Sequence, residues 1–169
     1  MLATSTLVRR SVLLIPLLDA DAVQSCWRHE ADAVAFDLGG TLVSAHEAIA
    51  IASKGGAEVF VCLEGTRAYA QVKATAGAAG LTGVVLPNAE SAADIDALDE
   101  ILRERERDEG LPIGTLEIMP LLGTARGVWN ARDVVNASLR VRCAAIDEPS
   151  LCRSLAILPS DDFDPLSFA

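Results

Sequence analysis

Three carboxylates, a thiol and an arginine stand where apolar runs give way to turns, and these are the residues whose types could do chemistry. Asp37 sits near the end of one apolar run (residues 33–38), Cys62 near the end of the next (58–63), and Glu90 just after a third (81–86). Asp147 follows a fourth run, and Arg126 lies in the turn-rich stretch PLLGTARGV, residues 120–128. Carboxylates brought to one mouth could hold a divalent cation or exchange a proton. A thiol there could attack an electrophile if a base stood beside it, and an arginine could hold an anion.

Each residue also has a plainer use. Asp37 can cap a turn, and Glu90 is favourable anyway near the start of a helix. Arg126 can pair with a neighbouring carboxylate or carbonyl. Thr124 can cap the helix after it, and Asp147 before Glu148-Pro149 has the pattern of a helix cap followed by a first-turn proline. Cys62 has neither His29 nor His46 at a suggestive spacing, so packing is its simpler role. The stretch around residue 123 is notable for what it lacks: one hydroxyl and one arginine, with no carboxylate, cysteine or histidine.

The elements that must position these residues alternate strictly. The pattern predicts strands over 11–16, 33–38, 58–63, 81–86, 115–121 and 140–146, with 155–158 as a candidate seventh. Helices are expected after Asp19, from a Ser44 cap to Gly55, over 67–79, over 90–108 and over 127–136, with one or two turns opened by Asp147. In the long helix, acids at 94, 96, 99 and 100 precede arginines at 103, 105 and 107, as the helix dipole favours, and the run reads as a solvated face. Residues 159–169 read as a loose acidic tail of a single domain spanning 1–169.

Alternation of apolar strands with helices implies a parallel sheet. Six or seven strands suit either an open doubly wound sheet or an incomplete (β/α)₈ barrel, since a full barrel takes about 250 residues. The core is aliphatic: 51% of the 169 residues are hydrophobic and only 4% aromatic. A net charge of −10 argues against nucleic acid or an anionic membrane as partner. The apolar run after Arg9-Arg10 is too short to span a membrane and is broken by Pro16. Cys26, Cys62, Cys143 and Cys152 form no CxxC pair, which fits reduced thiols in a cytoplasmic protein.

Four ordered stretches resemble one family. Residues 10–16, RSVLLIP, are similar to an opening RSVLFVP, and 31–38, ADAVAFDL, to GADAVxLDLED. Residues 83–91, GVVLPNAES, resemble GVVLPKVES, and 120–128, PLLGTARGV, resemble PLIETARGV. These are motifs of the citrate lyase β-subunit type within the HpcH/HpaI aldolase superfamily, and the resemblance runs from about residue 10 to 155. It implies a TIM-barrel-type (β/α) fold, incomplete here, with about six or seven parallel strands. It implies lyase chemistry on acyl-CoA or 2-keto acid substrates, with Mg²⁺ stabilising an enolate.

Departures from the family pattern fall on its working residues. The arginine of the CoA-binding PGDRP loop is replaced within Pro16-Leu17-Leu18-Asp19-Ala20, and of the DLED acids only Asp37 remains. The strand-three arginine that would face a substrate carboxylate aligns with Phe60, the LPK lysine with Asn88, and the metal-binding glutamate with Gly123. The second metal ligand falls near Pro149 and Ser150, with Asp147 and Glu148 close by. Asp37, Phe60, Cys62, Glu90, Gly123 and Arg126 thus read as positions of a vestigial mouth, and neither Mg²⁺ nor a CoA thioester is expected to bind. The expectation is a non-catalytic structural or regulatory subunit, associating with itself or with a catalytic homologue. Two alternatives remain: an active lyase with a site rearranged around Asp37, Glu90 or Asp147, and a phosphatase. The latter rests on residues 36–43, FDLGGTLV, which resemble the DxDGT motif of haloacid dehalogenase-type phosphatases with Asp37 as nucleophile.

Overall fold

A strand apolar at every position needs cover on both faces, and the chain supplies it by returning through a helix after almost every strand. The computed structural model describes residues 9, 11–39 and 45–157. In chain order these form β1 (Val12–Pro16), α1 (Ala20–Ser25) with a 3-10 turn at Cys26–His29, β2 (Ala33–Asp37), α2 (Ala45–Lys54) and β3 (Glu58–Cys62). A 3-10 turn at Gly65–Arg67 leads into α3 (Ala68–Thr75), then β4 (Leu81–Pro87), α4 (Ala92–Asp108) and β5 (Glu117–Leu122). The chain continues through α5 (Ala125–Trp129), α6 (Ala131–Asn136), β6 (Ala145–Ile146) and α7 (Glu148–Ser154).

The six strands form one parallel sheet in sequential order, β1 through β6. Sequential order is that of a barrel wall, whereas a doubly wound sheet reverses direction at a switch point. The sheet is a curled half-barrel, an incomplete TIM-barrel-like fold. Alternate strand residues serve its two faces. Val34, Phe36, Val59 and Val61 pack under α1 and α2, while Val84 and Ile118 pack with α3, α4 and α6. Ala33, Ala35, Phe60, Val85 and Met119 form a separate layer inside the curl. At Gly83 a Cβ would strike the backbone of Glu117, so only glycine lets β4 and β5 come this close.

Several boundaries differ from the sequence expectation, each for a local reason. The helix expected over 127–136 is broken at Asn130, whose side-chain amide donates to the Glu90 carbonyl at 2.8 Å. The sixth strand pairs only at Ala145–Ile146, with Val141 forming an isolated bridge to Ile118, because Arg140 is drawn away into buried ion pairs. The candidate seventh strand is instead the stop of α7. Ala156 takes φ +53°, its N–H donates to Arg153, and the Ile157 N–H donates to Cys152, which is a Schellman ending. Leu158, the expected Ser44 cap, residues 40–43 of the phosphatase-like motif and the acidic tail lie outside the described residues.

The charge run of α4 is a correction of greater consequence. Asp99, Arg105 and Glu106 are buried, and Glu106 is fully so. Asp99 and Glu106 together grip Arg140, whose Nε lies 2.5 Å from Asp99 and whose terminal nitrogens lie 2.7 Å from the two Glu106 oxygens. Glu106 also accepts from the backbone N–H groups of Gly114 and Leu116. These bonds hold both acids below their ordinary pKa against the opposing effect of burial, Asp99 at about 2.

Candidate functional site

In a parallel barrel the carboxyl ends of the strands, and the turns after them, make the mouth. Every site residue singled out from the sequence except Phe60 lies at that end. Asp37 and Cys62 are the last residues of β2 and β3 and are register partners. Asn88 follows β4, Gly123 follows β5, and Asp147 follows β6. Glu90 and Arg126 stand on the rim with 3.8 Å between their charged groups.

Local duties occupy these groups. The Asp37 carboxylate accepts from the Gly39 N–H at 3.1 Å, turning the chain after β2. Asp19, in the place of the family's CoA arginine, caps α1 through the Ala22 N–H at 3.0 Å. Thr124 caps α5 through the Gly127 N–H at 3.0 Å. Asp147 caps α7, with one oxygen accepting from the Ser150 N–H at 3.1 Å and the other from the Ser150 hydroxyl. Glu90 and Arg126 form an exposed pair of the kind that contributes little.

Cys62 is a poor nucleophile here. Burial, and after it the negative charge of Asp37, push its thiol up to about 12, so it stays protonated near neutrality. Phe60, in place of the family's substrate-facing arginine, is fully buried in the inner layer. Its ring carries a guanidinium after all: that of Arg9, 5.0 Å from the ring centroid, which approaches from the amino end of the strands rather than from the mouth.

Gly123 decides whether a metal could be held. A Cβ added there would lie 2.5 Å from Asn88 Oδ1, 2.9 Å from Ser150 Cβ and 3.5 Å from Asp147 Cβ. Any side chain at this position would have to displace Asn88 and press on Ser150 from its first carbon onward. Asn88 reaches this position from a left-handed backbone, φ +52°. Among the described residues no three His, Cys, Asp or Glu side chains converge as a metal site. The residues present therefore do not fit the Mg²⁺ of the family pattern. Nor does a basic group stand at Asp19, the place of the family's CoA arginine.

Known proteins share the sequence pattern and fold of this chain. The model of the family described as HpcH/HpaI aldolase/citrate lyase matches residues 10–169. The chain belongs to that family. The citrate lyase subunit beta of Leuconostoc mesenteroides subsp. cremoris is 28% identical over 145 residues, which is 79% of this chain and 48% of that protein. The chain thus spans about half the length of this curated relative. An HpcH/HpaI aldolase/citrate lyase family protein from Burkholderia cenocepacia J2315 superposes with a TM-score of 0.72 at 15% identity, over 88% of this chain and 68% of its own. The citrate lyase beta subunit of M. tuberculosis, complexed with oxaloacetate and magnesium, gives 0.57 at 22% identity, over 90% and 65%. At these identities the structures establish a shared fold.

The motifs locate the altered mouth but not the crowding at Gly123. Asn88 and Ser150 crowd Gly123 from two other turns, and nothing local in the chain signals that. The inner arginine was equally hidden, because Arg9 precedes every strand it serves.

Proposed function

We propose that this chain is a non-catalytic member of its family, a single barrel-like domain acting in the cytoplasm as a structural or regulatory subunit. One observation carries the reading: the place of the metal carboxylate is a glycine whose side-chain space is taken by Asn88 and Ser150. Of the carboxylates that a rearranged site would need, Asp37 and Asp147 are engaged in a turn and a cap, and Glu90 is paired with Arg126 on the rim. Enolate formation without a cation or a convergent set of donors would leave the developing charge unstabilised.

The partner is a second copy of this chain or a catalytic relative. The relative from Leuconostoc is itself named as a subunit. The two outermost strands keep large apolar side chains exposed: Val12 and Leu14 on β1 are 41% and 57% exposed, and Ile146 on β6 is 53% exposed. Such edges favour association. No helix among the described residues is long and apolar enough to cross a membrane. The sequential strand order and the family give no support to the phosphatase alternative.

Titration calorimetry with Mg²⁺ and acetyl-CoA, alone and together, tests the loss of chemistry; heat at millimolar concentrations would revive the rearranged lyase. Light scattering of the chain alone and mixed with a catalytic relative tests the subunit role. A folded monomer that takes up neither partner would end it.

A further inference from the structure

The concave face of the half-barrel holds a charge cluster that the family's chemistry does not use. Arg9 lies just before β1, at one edge of the sheet, yet its guanidinium serves β3 and β5. Its Nε meets the Glu58 carboxylate, one terminal nitrogen lies 2.6 Å from Glu117, and the other donates to Cys143 Sγ at 3.4 Å. The guanidinium also stacks on the Phe60 ring. Glu58 and Glu117 are the first residues of their strands, and the side chain of Arg9 is only 8% exposed.

We propose that Glu58, Glu117, Phe60 and Cys143 form a guanidinium-binding pocket inside the curl, and that Arg9 fills it as a tethered ligand that closes the concave face. The chemistry of the pocket is specific. Two carboxylates from strands separated by β4 offer oxygens to a planar fork, and an aromatic face lies against the plane of the cation. Both carboxylates are only 15% exposed, and the guanidinium between them offsets their mutual repulsion and loss of solvent. Arg142 approaches Glu117 at 3.5 Å but is 46% exposed, so it covers the pocket from outside and does not fill it. The contact crosses the sheet instead of running along it. It therefore ties the β1 edge to the middle of the wall, which adjacent strand pairing alone cannot do.

The test is Arg9→Ala in the full chain, with chemical rescue. Removing the side chain leaves a cavity with the shape and charge of its lost guanidinium. The melting temperature should fall by about 10 °C, and Cys143 should react several-fold faster with a thiol reagent. Ethylguanidinium at millimolar concentration, too dilute to denature, should restore both, while ethylammonium, equal in charge but without the planar fork, should restore less. A variant that melts and labels like the unmodified chain would overturn the proposal. So would a folded, destabilised variant that neither cation restores. Should Arg9→Ala not fold, Glu117→Gln decides: it keeps the shape and removes one charge, and must raise Cys143 labelling, or the pocket is not what holds Arg9.

Discussion

The two ends of the strands use charge in opposite ways. At the amino end, charged side chains reach across the chain and converge: Arg140 on Asp99 and Glu106, Arg9 on Glu58 and Glu117. At the carboxyl end most of the candidate site groups answer to a neighbour two or three residues away, as Asp37 does to Gly39, Thr124 to Gly127 and Asp147 to Ser150, and the long-range ion pair on the rim, Glu90 with Arg126, is exposed. Barrels usually divide labour between a stabilising bottom and a reactive top. Here the amino end carries the buried ion pairs, and under the proposed non-catalytic role the carboxyl end is reduced to the upkeep of its own turns. A scaffold would keep the first and have no need of the second.

The contrast is broken most directly at Arg140. Its removal leaves the fully buried Glu106 without a cation and Asp99 with only the half-exposed Arg103, and breaking such a buried pair costs about 3–5 kcal/mol. Arg140→Ala should lose that much in urea unfolding. Substitution of any one mouth residue by alanine should cost far less. If Asp37→Ala proves as damaging as Arg140→Ala, the division between the ends is wrong.

Acid should act on the same end. The folded-state pKa of Asp99 is depressed to about 2 from an ordinary 3.8, and that of Glu106 is lowered from 4.5. A depressed carboxylate stabilises the folded state at pH above its unfolded value and loses that contribution as pH falls through the folded value. The urea midpoint should therefore hold from neutrality to about pH 5 and decline below it, with Asp99 contributing on the order of 2 kcal/mol. Asp99→Asn should flatten part of that decline. An unchanged slope would place the acid sensitivity elsewhere.

The fold was legible in the sequence because its signals are local. Apolar runs bounded by glycine and proline marked the strands, and Asp19, Thr124 and Asp147 declared their caps within three residues. What failed was non-local. Asp99 and Glu106 lie on a helix whose alternating charges look solvated, and only the fold brings Arg140 onto them from beyond β5. Arg140 in turn pulls away the start of what reads as a seven-residue strand, 140–146. The altered mouth was readable from motif spacing, whereas the crowding of Gly123 needed three turns to be placed together.

That crowding gives a third prediction. Gly123→Glu restores the family carboxylate in name, but its Cβ must displace the Asn88 amide and press on Ser150 Cβ, which is fixed to α7. A cost of about 1.5 kcal/mol is expected from such overpacking, and no Mg²⁺ affinity should appear by calorimetry. Adding Asn88→Gly removes the nearer obstruction and relieves a positive φ, so the double variant should recover part of the loss. Tight Mg²⁺ binding by the single variant would show the mouth to be one residue from function, not several.

The smallest effect is expected at Asp37, the one acid of the family pattern that remains. Asparagine keeps an oxygen for the Gly39 N–H and removes only the charge. Unfolding should change by less than about 0.5 kcal/mol. The loss of that charge should move the pH profile of Cys62 labelling downward, because Asp37 is the second cause of its raised pKa. The profile should still lie well above neutrality, since burial is the first cause. A profile that drops to neutral pH would mean Asp37 alone kept the thiol silent. In that case the carboxyl end retains a poised pair, and its reduction to turn-keeping is incomplete.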